Sequence, residues 1–211
     1  MDFLGRLMWL PLSILSLSIH EFAHAWSAWK LGDDTASRAG RLTLNPLSHV
    51  DPIGTLLLPL LGVPFGWARP VPVDPSRFRR DVSMGRGMAL TAAAGPLANV
   101  LLATVSAVLL GLAARFAPAL VEEGSAGLFF LLGMLQLNVG LALFNMIPIP
   151  PLDGSRVVAW ILPYRLRDQW HALEQFAPFL LLGVFWFGGR LVAGPIYAVT
   201  DFLLGISRAL A

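Results

Sequence analysis

Residues 87–114 read GMALTAAAGPLANVLLATVSAVLLGLAA and contain no charged side chain. A helix needs about twenty mostly apolar residues to cross the hydrocarbon core of a bilayer, so this stretch is long enough to span it. Residues 124–152 are also uncharged and give a second span of the same kind. We therefore expect an all-α, polytopic integral membrane helix bundle, in which short re-entrant or extended β-like segments connect the spans.

The overall composition agrees with a lipid environment. Of the 211 residues, 56% are hydrophobic and 13% are charged, which is about half the charged fraction of an ordinary soluble domain. The net charge of +2 is too small to indicate nucleic-acid binding, and the absence of cysteine excludes disulfides and thiolate chemistry. No stretch is long and polar enough to fold as an appended soluble domain, so we expect residues 1–211 to form one domain.

The two ends of the chain complete the expected bundle. Residues 3–29 form a first helix with one polar stripe, which should face protein rather than lipid. The stripe consists of Ser13, Ser16, His20, His24 and Ser27. A cleaved signal peptide is the alternative for this segment, but its start carries too little positive charge. The core should end near residue 162, and a C-terminal stretch, about residues 175–205, should hold one tilted span or two short segments.

Three shorter stretches depart from the helical pattern. Residues 52–68 are uncharged but interrupted by proline and glycine, which favours a re-entrant or interfacial hairpin over a span. Residues 38–50 alternate between polar and apolar side chains, and residues 67–73 are extended by Pro70 and Pro72. Either of these last two could form an edge strand.

Arginine placement orients the chain in the membrane. The segment between residues 65 and 86 is rich in arginine, whereas loop 115–127 has one arginine and two glutamates. Positive residues stay on the cytoplasmic side of a membrane. We therefore place the N-terminus and loop 115–127 outside, and residues 31–86 and 148–175 on the cytoplasmic side.

His20-Glu21-Phe22-Ala23-His24 is an H-E-x-x-H motif on the first predicted helix. A spacing of four places both imidazoles on one helix face, where they can share a tetrahedral Zn²⁺, and the intervening glutamate can serve as general base. Two histidines that only satisfy a buried polar helix face are the alternative. Catalytic zinc sites use three protein ligands, so a third ligand must come from elsewhere in the chain.

Asp153 is the best-placed candidate for the third ligand. The expected topology puts it at the cytoplasmic end of a span, level with His20 and His24. It follows a run of prolines and precedes Gly154. A simple turn that ends a helix explains Pro-Leu-Asp-Gly equally well, so the residues alone leave both interpretations open.

Three motifs together resemble those of the site-2 protease family of intramembrane zinc metalloproteases. They are His20-Glu21-Phe22-Ala23-His24, Ala94-Gly95-Pro96-Leu97-Ala98-Asn99, and Asn145-Met146-Ile147-Pro148-Ile149-Pro150-Pro151-Leu152-Asp153-Gly154. The resemblance covers roughly residues 13–160. It implies that His20, His24 and Asp153 bind one Zn²⁺ per chain. It also implies that Glu21 activates the attacking water and that Asn145 holds the substrate carbonyl or its oxyanion.

The resemblance implies an intramembrane zinc endopeptidase that hydrolyses peptide bonds in or near transmembrane segments of membrane protein substrates, as in regulated intramembrane proteolysis. Its partners would be these substrates and the lipid bilayer, not nucleic acid, and the sequence leaves its oligomeric state open. It would be a multi-pass protein, of the cell membrane, with its active site towards the cytoplasm. A membrane metal-ion transporter, which needs ionisable groups at several depths in several helices, and a non-catalytic relative that binds membrane helices are the alternatives.

Further residues are candidate substrate contacts. A strand near the zinc would bind an unwound substrate by β-augmentation, which makes Val71 and Val73 candidates. His49 could contact the substrate or the metal shell, or could simply cap a loop. Every fourth residue from 87 to 111 is small or polar, so we expect this helix to be central; packing alone explains Asn99, which could also touch the site.

Overall fold

The computed structural model describes residues 3–62, 66–184, 186 and 189–211, apart from the side chains of residues 3, 4, 171 and 189–191. All regular structure in these residues is helical. The α-helices are α1 Phe3–Lys30, α2 Thr35–Arg38, α3 Leu58–Leu60, α4 Met84–Phe116, α5 Ala126–Asn145, α6 Asp153–Ile161, α7 Tyr164–Ala172, α8 Ala177–Gly183 and α9 Gly189–Leu210. A π-helical segment covers Pro52–Leu57, and short 3₁₀ turns cover Pro46–Ser48, Pro75–Arg77, Pro118–Val121 and Leu173–Phe176.

Helix α4 is the central element of the bundle, as its four-residue repeat predicts. The repeat is buried along its whole length: Gly87, Thr91, Gly95, Asn99, Ala103, Ala107 and Gly111. Its glycines mark close approaches, because a Cβ at Gly87 would overlap the Phe78 ring and one at Gly111 would overlap the Ser207 backbone of α9. Small side chains let neighbouring helices approach α4 closely enough to pack around it.

Helices α4 and α5 are the two that are long and apolar enough to cross a membrane in the described part of the chain. The Ser83 hydroxyl caps α4, and the Ser125 hydroxyl caps α5. The second predicted span, residues 124–152, is too long, because α5 ends at Asn145 and the following proline-rich segment cannot continue a helix.

The outer face of α4 is apolar. Leu97 and Leu101 are 65% and 64% exposed, although the same helix buries glycine and alanine on its inner face. This distribution is the reverse of that of a helix at the surface of a soluble protein.

Residues 38–50 do not form the edge strand that their alternation allows. Arg38 ends α2, and Pro46–Ser48 form a 3₁₀ turn that the Asn45 side chain caps. Within the described residues, the segment from 66 to 74 has no regular structure and no strand partner. Pro70 and Pro72 lack N–H groups, which removes two of the donors that a β-ladder would need.

The predicted hairpin at residues 52–68 folds back on itself. The Thr55 hydroxyl donates to the Trp67 carbonyl at 2.7 Å, and the Trp67 ring lies against Gly54. Residues 63–65 of this hairpin lie outside the described residues.

In the C-terminal stretch the described helices are α8 and α9. The choice between one tilted span and two short segments depends on residues that lie between them. Residues 185, 187 and 188, and the Arg190 side chain, lie outside the described part of the chain. Leu203 of α9 joins a buried cluster with residues of α4 and α5, including Ala103 and Leu135. The C-terminal helices are therefore part of the core rather than an appendage to it.

Candidate metal centre

The H-E-x-x-H motif lies on the side of α1 that faces α4. The His20 and His24 side chains are only 7% and 12% exposed. Gly95 of α4 lies directly against both rings, because a Cβ at this position would come within 2.5 Å of His24 Nε2 and 2.6 Å of His20 Cε1. Only a glycine leaves room for both imidazoles beside α4.

Asp153 reaches these histidines from the first turn of α6. The chain folds back between α5 and α6, so that Gly154 lies against the backbone of Met146, where a Cβ would overlap the carbonyl. The Pro150–Pro151 peptide bond is cis. The glycine after Asp153 therefore allows the start of α6 to pack tightly against the end of α5.

The three side chains converge on one point. Asp153 Oδ2 lies 3.3 Å from His20 Nε2 and 3.4 Å from His24 Nε2, and the two Nε2 atoms are 3.0 Å apart. The arrangement is the His-His-carboxylate set that catalytic zinc sites use, and within the described part of the chain no fourth His, Cys, Asp or Glu joins it.

The protonation pattern of the histidines makes this set suitable for a metal. His24 Nδ1 lies 2.7 Å from the Thr91 carbonyl oxygen, and His20 Nδ1 lies 2.5 Å from Asn99 Oδ1. Both partners are acceptors, so each Nδ1 carries a proton and each neutral ring has its lone pair on Nε2. Two imidazole lone pairs and a carboxylate oxygen repel one another at these distances unless a cation lies among them. The donor set therefore fits a divalent metal such as Zn²⁺.

Asp153 supplies the carboxylate of this set. A carboxylate at this position adds the negative charge that a divalent cation needs in a buried site.

A chain of buried amides extends from His20 into the bundle. Asn99 Nδ2 donates to Asn138 Oδ1 at 2.7 Å, and Asn138 Nδ2 donates to the Met134 carbonyl at 2.8 Å and to the Ser16 hydroxyl at 2.9 Å. Ser16, Asn99 and Asn138 are fully buried. Helices α1, α4 and α5 are thus joined by one polar network that ends at a metal-ligand candidate.

Glu21 faces the extended segment 66–74. Its Oε2 accepts a hydrogen bond from the Val71 N–H at 2.9 Å. Side chains and loops hold the same segment at other points: Arg69 N–H donates to the His49 carbonyl at 2.8 Å, and the Arg41 guanidinium donates to the Arg69 carbonyl. Segment 66–74 is therefore fixed beside the general-base candidate.

Curated relatives match the chain over most of its length. "Putative zinc metalloprotease YwhC" of Bacillus subtilis is 38% identical over 220 residues, which cover 98% of this chain and 98% of the relative. The chain belongs to the site-2 protease family. "Putative zinc metalloprotease Rip2" of Mycobacterium tuberculosis is 32% identical over 94% of this chain and 74% of its own length. Its namesake in Mycolicibacterium smegmatis is 36% identical over 67% of this chain and 52% of its own. No family model matches the chain, and no solved structure matches it significantly.

Of the site residues expected for this site-2 protease family member, the structure brings His20, His24 and Asp153 together and puts Glu21 beside Val71. Val73 lies half-buried in the same segment. Asn145 is the last residue of α5, and its amide donates back to the Leu141 carbonyl at 3.0 Å.

His49 lies outside the three-residue cluster. It is 1% exposed, its Nε2 lies 2.8 Å from the Thr43 carbonyl oxygen, and its backbone carbonyl holds Arg69. These contacts are of the kind that the loop-cap alternative expects. Through Arg69, His49 is linked to segment 66–74.

The sequence predicted packing positions for Thr91 and Gly95 in the repeat of α4, not a place beside the histidines. It gave no role to Asn138. Gly95 and Asn99 lie one helical turn apart on the stripe of α4, and the polar Asn99 and Asn138 stand in otherwise apolar spans. An amide in an apolar span was the one signal that could have found this network.

Proposed function

We propose that this protein is an intramembrane zinc endopeptidase that hydrolyses peptide bonds in or near transmembrane segments of membrane protein substrates. The observation that carries the proposal is the convergence of His20, His24 and Asp153 on one point. Glu21, between the two histidines in the chain, lies beside the backbone of segment 66–74. Homology to named zinc metalloproteases supports the same chemistry.

His20, His24 and Asp153 would hold one zinc ion per chain. A bound zinc would supply a Lewis acid that polarises the scissile carbonyl and makes a water molecule more acidic. The Nδ1–H groups of the histidines donate to Asn99 and to the Thr91 carbonyl, which keeps both rings oriented with Nε2 towards the ion.

Glu21 would act as the general base and then as the acid. Its carboxylate takes a proton from the attacking water and delivers it to the nitrogen of the departing amine. In the structure this carboxylate is held by the Val71 N–H rather than by a cation. Substrate binding would release Glu21 from Val71 and free it for the proton transfer.

Segment 66–74 would bind the unwound substrate at Val71, beside Glu21, because the backbone groups of Trp67 and Arg69 are already bonded to the protein. Backbone groups of alternate residues in an extended chain point to opposite edges. Trp67, Arg69 and Val71 use their backbone groups towards the protein, whereas the opposite edge carries Pro70 and Pro72, which lack N–H donors. We therefore expect a substrate carbonyl to replace Glu21 as the acceptor of the Val71 N–H, with Val73 contacting the substrate side chains.

Asn145 would stabilise the oxyanion of the substrate. It lies at the end of α5, just before the loop that delivers Asp153. Its amide must rotate away from the Leu141 carbonyl to donate to a substrate oxygen. His49 would contribute by holding segment 66–74 in place.

The protein would work as a multi-pass protein of the cell membrane, with the active site towards the cytoplasmic side. Two membrane-length helices and the exposed leucines on α4 support membrane insertion. The arginines between residues 69 and 86 support a cytoplasmic position for the loop beside the site.

The test is cleavage of a single-span membrane protein in liposomes by purified wild type and Glu21→Gln, with the cut mapped by mass spectrometry. We expect wild-type cleavage within or next to the span, and a rate lower by roughly 10²–10⁴-fold in Glu21→Gln, because that range is typical of a lost general base. Cleavage confined to soluble loops, or an equally active Glu21→Gln variant, would contradict the proposal.

A further inference from the structure

We infer that Asn138 is a positioning residue for the metal centre: acting through Asn99, it fixes the proton of His20 on Nδ1 and so keeps Nε2 available as a ligand. The inference rests on the metal site of the proposed function. Asn138 lies on α5, and its side chain hydrogen-bonds to Asn99, to the Ser16 hydroxyl and to the Met134 carbonyl, none of which is a ligand candidate. Its link to His20 therefore runs through Asn99.

The direction of the amide chain is set at its far end. The Met134 carbonyl can only accept, so the Asn138 group that faces it must be the NH₂. That orientation turns Asn138 Oδ1 towards Asn99, which requires Asn99 to present its own NH₂. Asn99 Oδ1 then faces His20 Nδ1, which must donate.

Burial makes this direction hard to reverse. Asn99, Asn138 and Ser16 are each 0% exposed, so no water is available to satisfy a flipped amide. Reversal of Asn138 would bring an oxygen against the Met134 carbonyl and an NH₂ against the NH₂ of Asn99. Both conflicts would leave buried polar groups unsatisfied, which costs more than a solvent-exposed mismatch.

The consequence concerns His20 alone. A neutral imidazole has one lone-pair nitrogen, and a proton on Nε2 would remove it from the ligand set. His24 has an independent orienting partner, the backbone carbonyl of Thr91. The amide chain therefore orients the His20 ring, with Nδ1 as donor, through side chains. The Thr91 backbone carbonyl orients the His24 ring in the same way.

The experiment compares zinc affinities, measured by competition with a chelator, for the full-length protein in detergent. The variants are Asn138→Leu, Asn99→Leu and the control Ser16→Ala. We expect the Kd for zinc to rise by about 10–100-fold in both leucine variants, the usual effect of losing an orienting partner of a ligand. Ser16→Ala should change it by less than about threefold, because Met134 still orients Asn138.

A second measurement uses the wild-type protein and the Asn138→Leu variant labelled with ¹⁵N-histidine. The chain has four histidines, so the spectrum is simple to assign with a His20→Ala sample. We expect His20 Nδ1 to be protonated in the wild type with and without zinc, and to lose this uniform protonation in metal-free Asn138→Leu. An unprotonated Nδ1 in the wild type would overturn the inference even if the leucine variants fail to fold.

The outcomes separate the two claims. Absence of zinc binding in the wild type would refute the metal site itself. Normal wild-type binding together with an unchanged Kd in a folded Asn138→Leu variant would refute only the positioning role. A Kd that rises equally in Ser16→Ala and Asn138→Leu would also refute it, because general loosening of the helix contact would then explain both.

Discussion

At the scale of single residues, the metal centre depends on a glycine, whose lack of a side chain leaves room for the histidines. Gly95 of α4 faces both imidazoles, and a Cβ there would lie 2.5–2.6 Å from their ring atoms. Contacts that short do not occur between folded side chains, so α1 and α4 would have to move apart.

We therefore expect Gly95→Ala to raise the Kd for zinc by about 10–100-fold, the range seen when ligand orientation is disturbed. Gly140→Ala on α5 is the matched control, because no atom lies within 4 Å of its added Cβ. Zinc competition assays on both variants test this expectation. Equal affinities would show that the histidines do not need the close approach of α4.

At this scale the sequence predicted the candidate ligands and the candidate base but not the residues around them. His20, Glu21 and His24 follow from their spacing, because four residues make one helical turn. Asp153 could not be assigned from its own neighbours, since a proline-rich turn explains them equally well. Thr91, Gly95 and Asn138 depend on how three helices are aligned, which local sequence does not encode.

At the scale of elements, the extended segment 66–74 is the part of the site most open to test. The Val71 N–H lies against Glu21, and we propose that the substrate backbone takes this place. A carboxylate introduced here would repel Glu21 and the substrate carbonyl without touching a metal-ligand candidate.

Val71→Asp and Val73→Asp should each slow cleavage by about tenfold or more, the equivalent of roughly 1.4 kcal/mol, which is close to one lost hydrogen bond. Zinc content should remain that of the wild type. Val82→Asp is the control, a half-buried valine outside the segment. Unchanged cleavage in the first two variants, or equal slowing in all three, would remove the substrate-binding role of the segment.

The elements themselves were predictable to different degrees. The length of the two uncharged stretches predicted α4 and α5. The four-residue repeat of small and polar residues predicted the central position of α4. The strand at residues 38–50 was wrong because alternation over a short polar stretch does not distinguish a strand from capped turns. The span at residues 124–152 was too long because an absence of charge says nothing about where proline ends a helix.

At the scale of the whole molecule, the C-terminal helices support the loop that carries Asp153. Val184, after the end of α8, is 4% exposed and packs with Ile147 and Leu152, which flank the proline-rich loop. Leu181 and Val192 pack against the same cluster. The C-terminal residues, which carry no recognisable motif, thus pack against the loop that leads to Asp153.

Val184→Ala should destabilise this contact by about 2 kcal/mol, the value for removing two buried methylene equivalents, and should lower zinc retention. Leu182→Ala, at a position 55% exposed, should change neither property. Thermal unfolding and zinc content of the two variants check this. If Val184→Ala retains zinc and stability like the control, the C-terminal helices do not support the site.

The contribution of the tail was not predictable, because its residues carry no motif and pack through ordinary aliphatic contacts. Packing partners are set by the assembled bundle rather than by local pattern.

The central claim is that His20, His24 and Asp153 form one metal site. Its most direct test is the zinc stoichiometry of the purified protein in detergent, with Asp153→Ala and Glu21→Gln beside the wild type. We expect about one zinc per chain in the wild type and in Glu21→Gln, and little in Asp153→Ala, because catalytic zinc sites rely on three protein ligands. Full zinc content in Asp153→Ala, or no zinc in any form, would contradict this claim.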